Sequence, residues 1–264
     1  MDHRTLIFYT DELHDEFALD SITAKPITGE WQYLRDSRAG RAAHFFWYRL
    51  VATPLAFLHT KLVHHHTVVG GEKLRALRGT GCFLYGNHTQ QIGDAFLPHM
   101  LDIRRTFDTV VHANNVSMKG LGRVTPYLGA LPLPDDLAAH RNFRAAIDTR
   151  IGQGHGVVIY PEAHIWPYYT GIRPFPDTSF EYPVRLGVPA FCFTNTYQKR
   201  RFSKKPRIVT YVDGPFYADA GLPRRLAQRQ LRDRIHETMT RRTDLSEVTR
   251  IRYIKTVPGR EETQ

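Results

Sequence analysis

The sequence predicts an α/β fold, with a mixed, largely parallel sheet flanked by helices and preceded by a short N-terminal helical segment. Three observations carry this. Strand-like apolar runs recur from residue 82 onward, in GCFLYGN, TFDTVVHANN, ALPLP, GVVIYP, VPAFCFTNTY and RIVTYVDGP. Stretches with helical spacing separate several of them, and strands alternating with helices are the pattern of a helix-covered sheet. The chain has 264 residues, of which 42% are hydrophobic and 23% charged. It is long enough to bury a full core and too apolar to be disordered.

Residues 1 to 40 mix short apolar runs with charge and contain Gly29 and Gly40, which reads as irregular or partly helical chain. FFWYRLVATPLAFL (45–58) is shorter than the roughly 20 residues of a spanning helix, and Arg49 and Pro54 interrupt it. Phe45, Phe46, Trp47 and Tyr48, beside Arg41 and Arg49, suit an element lying in the headgroup layer of a membrane; a helix packed on the domain is the other reading. KLVHHHTVVGGEKLRALRGTG leads through Gly70-Gly71 into the first strand, GCFLYGN. Further strands are expected at 106–115, 130–134, 156–161, 188–197 and 207–215. One helix starts at Asp135-Asp136, a natural N-cap, and sets Phe143, Ala146, Ile147 and Ile151 on one face. Another, from Pro223 to Thr243, stacks Ala227, Leu231, Ile235 and Met239. The expected organisation is thus an N-terminal helical segment (1–75), an α/β domain (76–256) and a disordered tail (257–264).

The balance of 36 Lys and Arg against 26 Asp and Glu leaves a net charge of +10, which attracts polyanions without choosing among them. Cys82 and Cys192 sit in apolar runs, give no disulfide framework and favour a reducing compartment. The start, MDHRTLIFYTDELHDEF, is too acidic for a signal or transit peptide, so no export is expected.

Chemistry concentrates in LYGNHTQQIGDAF (84–96). His88 follows a strand directly, where sites of open α/β sheets gather. A histidine there can act as general base, with a carboxylate fixing its tautomer. Asp94 is the candidate carboxylate. On a regular helix the two side chains would stand about 120° apart, so they meet only if the segment begins as a loop, which Gly93 permits. The same residues would also serve as a capping turn. VVIYPEAHIWPY (157–168) repeats the arrangement, delivering Glu162 and His164 at a strand end.

NHTQQIGD followed by YPEAH resembles the glycerolipid acyltransferase family, the lysophosphatidic acid acyltransferase-like enzymes, over residues 80–195. YLGALPLP, with Gly129, resembles the family's Gly-rich strand block, and Val188-Pro189 its Val-Pro block. The resemblance implies that Asn87-His88 and Asp94 form the catalytic block. His88 would be general base toward an acceptor hydroxyl that attacks an acyl thioester, with Asp94 orienting it. It also implies that Glu162 shapes the acceptor side, that acyl-CoA or acyl-carrier protein is the co-substrate, and that no metal or bound cofactor is needed. The expected acceptor is a lysophospholipid or related molecule. The expected location is the cytoplasmic face of an anionic membrane, with no nucleic-acid partner.

The departures are specific. Five residues, TQQIG, separate His88 from Asp94, one more than the family's usual spacing. The Glu-Gly-Thr-Arg block reads Glu162-Ala163-His164-Ile165, and Asp135 stands where an arginine closes the Gly-rich block. Both phosphate-reading arginines are absent. Lys119, Arg123 and Arg173 are the candidate replacements, with His164 a further acceptor contact. Two rivals remain. A metallohydrolase would use the many histidines, among them His64, His65, His66, His99 and His155, but no metal-ligand spacing occurs. A basic nucleic-acid- or lipid-binding module would use the charge and the arginine-rich helix, but leaves the polar strand ends unexplained.

Overall fold

The computed structural model describes residues 5–17 and 22–256. Among the described residues, nine strands and eight α-helices are arranged in one mixed α/β body. The strands are β1 (Thr5–Tyr9), β2 (Thr67–Val69), β3 (Cys82–Gly86), β4 (Phe107–Val111), β5 (Ala130–Pro132), β6 (Gly156–Ile159), β7 (Ala190–Arg200), β8 (Ser203–Phe216) and β9 (Ile251–Lys255). Seven form the main sheet, in the order β2-β8-β7-β3-β6-β4-β5. All neighbours are parallel except β7 and β8, which form an antiparallel hairpin.

The central strand β3 is buried along its whole length, as expected of a parallel strand covered on both faces. Its side chains alternate. Phe83 and Tyr85 join the core formed with α6 (Leu137–Gly152) and α8 (Arg224–Thr243), through Phe143, Ile147, Leu231 and Ile235. Cys82 and Leu84 face the opposite layer, with Leu74 of α3 (Gly71–Ala76) and Leu101 of α4 (Gly93–Leu101). The two cysteines lie on opposite faces, and burial pushes the Cys82 thiol up to about 11. Helix α6 begins as its sequence predicts, with the Asp136 carboxylate accepting from Ala139 N at 2.7 Å.

The expected boundary at residue 75 does not divide the molecule. β1 pairs with β9 near the other end of the chain, and β2 is the edge strand of the main sheet. Between them, residues 22–37 run without regular structure along the far edge. Ile27 is fully buried, the Tyr33 hydroxyl donates to Pro132 O at 3.0 Å, and Asp135 accepts from Ile27 N at 2.6 Å. Strands β1, β2 and β9 are absent from the sequence reading because short edge strands are specified by distant partners. The proposed tail, 257–264, lies outside the described residues.

Residues 38–63 form one continuous helical run: α1 (Arg38–His44), a wide π-turn segment Phe45–Ala52, α2 (Thr53–Leu58) and a second π segment His59–Val63. Pro54 has no N–H for the Leu50 carbonyl, and the widened turns absorb the mismatch. Just before it, the Thr53 hydroxyl donates to Tyr48 O at 2.8 Å. Tyr48, Ala52, Ala56 and Thr60, spaced by four, face inward against α4 and the start of β4, while Phe45, Phe46, Leu50, Leu55, Leu58 and Leu62 face outward and are exposed. Among the described residues, no helix is long and apolar enough to cross a membrane.

Three histidines are buried on this side. Burial lowers His64 and His99 to about 4 and His66 to about 3, from an ordinary value near 6.5. Each is therefore neutral in the folded state and takes up a proton on unfolding below about pH 6.5. Stability is full above that pH and is lost as pH falls from 6.5 toward 4 for His64 and His99 and toward 3 for His66, by on the order of 3 kcal/mol for His66 and His99 and by less for the more exposed His64. Chemical denaturation across this range should show it. His66→Gln, whose amide still reaches Thr210, should flatten the slope in part; an unchanged slope would remove His66 as a contributor.

Candidate active site at the carboxyl end of the central strand

Beyond β3 the chain leaves the sheet at Asn87, which is buried and clasps the neighbouring strand. Its Oδ1 accepts from Asn195 N at 2.8 Å and its Nδ2 donates to Asn195 O at 3.1 Å. Asn87 thus braces β3 against β7 instead of facing a substrate, which corrects its expected binding role. Residues 87–90 are irregular, 91–92 turn, and α4 starts at Gly93. A Cβ at Gly93 would come within 2.8 Å of Gln90 Cβ, so the turn closes only because glycine occupies it.

This loop brings His88 to Asp94. Nδ1 of His88 donates to Asp94 Oδ2 at 2.8 Å, and the same oxygen accepts from Gln90 N at 2.9 Å. Asn195 Nδ2 approaches Oδ1 at 3.5 Å. The additional residue in TQQIG is absorbed in the loop before the helix. Burial raises the Asp94 carboxyl above the ordinary range, opposed by the His88 ring and the amides of Gln90 and Thr89. The Asp94 side chain is 2% exposed and that of His88 18%, so the pair is sealed on the carboxylate side and open on the imidazole side.

The ring is held in plane by Tyr160, a residue the sequence reading passed over. It stacks on His88 with centroids 4.4 Å apart and 18° between planes, and its hydroxyl donates to Asp94 O at 2.7 Å. The signal was available in IYPEAH, since Tyr160 precedes the Pro-Glu pair at the strand end. The 162–168 loop is also sewn to His88 by its backbone, with Trp166 N donating to His88 O and Tyr168 N to Thr89 O, both at 3.0 Å.

Glu162 lies behind this loop rather than on an open acceptor surface. It is 3% exposed, and burial raises its carboxyl, opposed chiefly by Arg173. Arg173 Nη2 donates to Glu162 Oε2 at 3.2 Å and Arg173 N to Oε1 at 3.3 Å. Arg173 therefore cannot serve as an accessible phosphate-binding cation. It is 1% exposed, sits over the Trp166 ring at 4.8 Å, and bonds the carbonyls of Glu12 and His164. His164 is likewise engaged elsewhere, pairing with Glu16 at 2.9 Å. Residues 5–17, part of the segment read from the sequence as irregular or partly helical chain, are thus the outer wall of this loop.

Lys119 and Arg123 come together, but not beside His88. They line a cleft of about 1160 Å³ with Lys25, Arg35, Trp31 and Tyr127. It lies along the β5 edge, three strand positions from β3. Lys25 and Arg35 were missed because they lie in irregular chain with no motif. Gly129 serves the backbone in this arrangement. Its φ is 86°, a Cβ there would meet Phe107 O at 2.7 Å, and its carbonyl accepts from Thr109 N at 2.8 Å. Its role is to let the chain cross into β5. Among the described residues, no three His, Cys, Asp or Glu side chains are grouped to hold a metal.

No protein-family model and no curated protein matches the chain. Among solved structures, the crystal structure of the 1-acyl-sn-glycerophosphate (LPA) acyltransferase PlsC from Thermotoga maritima is similar. The TM-score is 0.55 over 82% of this chain and 86% of that chain, at 14% sequence identity. At that identity the likeness is one of fold.

The loop also stores strain. Ala163 has φ of 62°, a left-handed conformation unfavourable for a residue with a Cβ by roughly 1–2 kcal/mol. It occupies the glycine position of the Glu-Gly-Thr-Arg block. Ala163→Gly should relieve the strain against glycine's greater unfolded-state entropy, raising Tm by about 1–3 °C. A fall in Tm would show that the methyl group contributes packing that outweighs the strain.

Proposed function

We propose that this chain is an O-acyltransferase. It would move a fatty acyl group from an acyl thioester, acyl-CoA or acyl-carrier protein, to a hydroxyl of a lysophospholipid or related acceptor, in phospholipid biosynthesis or remodelling. The observation that carries the reading is the 2.8 Å His88–Asp94 contact at the end of the central strand, in a fold similar to that of an LPA acyltransferase.

The chemistry follows from the orientation of the ring. With Nδ1–H donated to Asp94, the Nε2 lone pair is available to an acceptor hydroxyl. As the hydroxyl oxygen forms a bond to the thioester carbonyl carbon, Nε2 takes its proton, and buried Asp94 stabilises the imidazolium. Collapse of the tetrahedral intermediate breaks the C–S bond, and the departing thiolate takes the proton back from Nε2. The products are an ester and a free thiol, with no acyl-enzyme. The reaction calls for a base and oxyanion stabilisation, and for no metal or bound cofactor. Glu162, held by Arg173, approaches the His88 backbone N–H at 3.5 Å, and Tyr160 holds the imidazole plane. Lys119, Arg123, Lys25 and Arg35 would receive a phosphorylated part of a substrate extending well beyond the reacting bond.

The same reading places the protein on the surface of a membrane. An amphipathic run whose outward face carries Phe45, Phe46, Leu50 and Leu62, packed on the helix that bears Asp94, suits an element lying in the headgroup layer. Such placement would bring the catalytic loop to a lipid acceptor from the cytoplasmic side.

Free-thiol release from a long-chain acyl-CoA, and from acyl-carrier protein, with and without a lysophospholipid mixture tests the reading. Release should depend on the acceptor. His88→Ala should lower it by on the order of 10³ and Asp94→Asn by at least about 10², with both variants folded. Acceptor-independent release would identify a thioesterase, and equal release by folded His88→Ala would exclude the mechanism.

A further inference from the structure

We propose that the tip of the β7–β8 hairpin is a docking element for an anionic bilayer, acting beside the apolar face of the helical run. The proposal rests on the membrane-surface reading above and adds to it a chemical class of lipid and a defined second contact.

Residues 199–207, KRRFSKKPR, hold six Lys or Arg and no Asp or Glu. At the tip, Phe202 is 89% exposed, the most exposed large hydrophobic residue among those described, with the Arg201 guanidinium 5.1 Å from its ring centroid. Arg201, Lys205 and Arg207, in the same segment, are exposed. Glu247 accepts from Lys199 N at 3.0 Å at the base of the segment. An exposed aromatic ring at the tip of a segment rich in cations is costly to leave in water and matches a surface with anionic headgroups above an apolar layer.

The position of the tip decides between a bilayer and another polyanion. Arg200 joins the hairpin to the end of the helical run, donating to His65 Nε2 at 2.7 Å and approaching Val63 O at 3.5 Å. Leu62, 70% exposed, and Val63, 43% exposed, lie at that junction. The basic tip and the apolar face are therefore one continuous surface, and a nucleic acid would have no use for its apolar part. β7 runs parallel to β3, so the hairpin projects from the same end of the sheet as His88. Docking through both parts would turn the catalytic end toward the lipid.

The test is flotation with phosphatidylcholine vesicles and with vesicles of phosphatidylcholine and phosphatidylglycerol in equal parts, using the full chain. The wild type should prefer the anionic vesicles, with an affinity that falls as salt rises. The triple variant Arg201→Gln, Lys205→Gln, Arg207→Gln should lose on the order of 100-fold in affinity for them, about fivefold per cation, and keep its binding to neutral vesicles. Phe202→Ser should weaken binding to both. Thiol release with a monomeric, short-chain lysophospholipid should be unchanged in all variants, because none of these residues touches the His88 site. Failure of the wild type to bind either vesicle would overturn the membrane reading itself. A wild type that prefers anionic vesicles, with a triple variant that does so equally, would overturn the hairpin proposal alone. Binding of duplex DNA as tight as that of vesicles, lost in the triple variant, would assign the tip to nucleic acid instead.

Discussion

Two carboxylates withdrawn from water at one end of the sheet govern the arrangement around them. An ion buried in protein costs several kcal/mol unless donors replace its hydration. Asp94 receives the His88 ring N–H and the Gln90 amide, with the Asn195 side chain close by. Glu162 receives the Arg173 guanidinium and backbone. These donors come from the loop after β3, from β7 and from the 162–173 loop. Satisfying the two charges therefore requires these segments to converge, and convergence orients His88 with one edge open.

The rest of the fold supplies the rigidity this needs. β3 is held between β6 and β7 and packed on both faces, so Asn87 and His88 emerge at a defined height. The helical run supports α4, on whose first turn Asp94 sits. The chain before the sheet closes the structure from outside, with Asp15 O accepting from Trp166 Nε1 at 2.8 Å and Phe17 packing edge-on against that ring. The 162–168 loop is therefore gripped from both sides, which sustains left-handed backbone at Ala163 and Tyr168.

The departures from the family pattern acquire physical meaning in this frame. Asp135, standing where an arginine is expected, accepts from Ile27 N and fastens the N-terminal segment to the sheet edge. Arg173 serves as the counter-ion of Glu162 and is removed from solvent, so it is not free to read a phosphate. The exposed cations gather instead in the cleft beside β5 and on the β7–β8 tip. Under the proposed reading, phosphate and lipid recognition has moved outward from the catalytic loop to these surfaces.

The alternation of apolar runs, the Asp136 cap and the spacing of Phe143 and Ile147 were legible in the sequence because they are local: each depends on periodicity within one element. The His88–Asp94 pairing was legible as a possibility, since residue types and a permissive glycine are written in the chain. The tertiary structure decided what depends on distant groups. The partner of Glu162 lies eleven residues on, Asn87 answers to Asn195, and β1 is a strand because β9 lies beside it. Arg173 and Arg123 are the same residue type, both outside the strands and α-helices, yet one is an internal counter-ion and the other lines an open cleft. Charge and chemistry are properties of the residue; burial, and hence what that charge can do, is a property of everything packed around it.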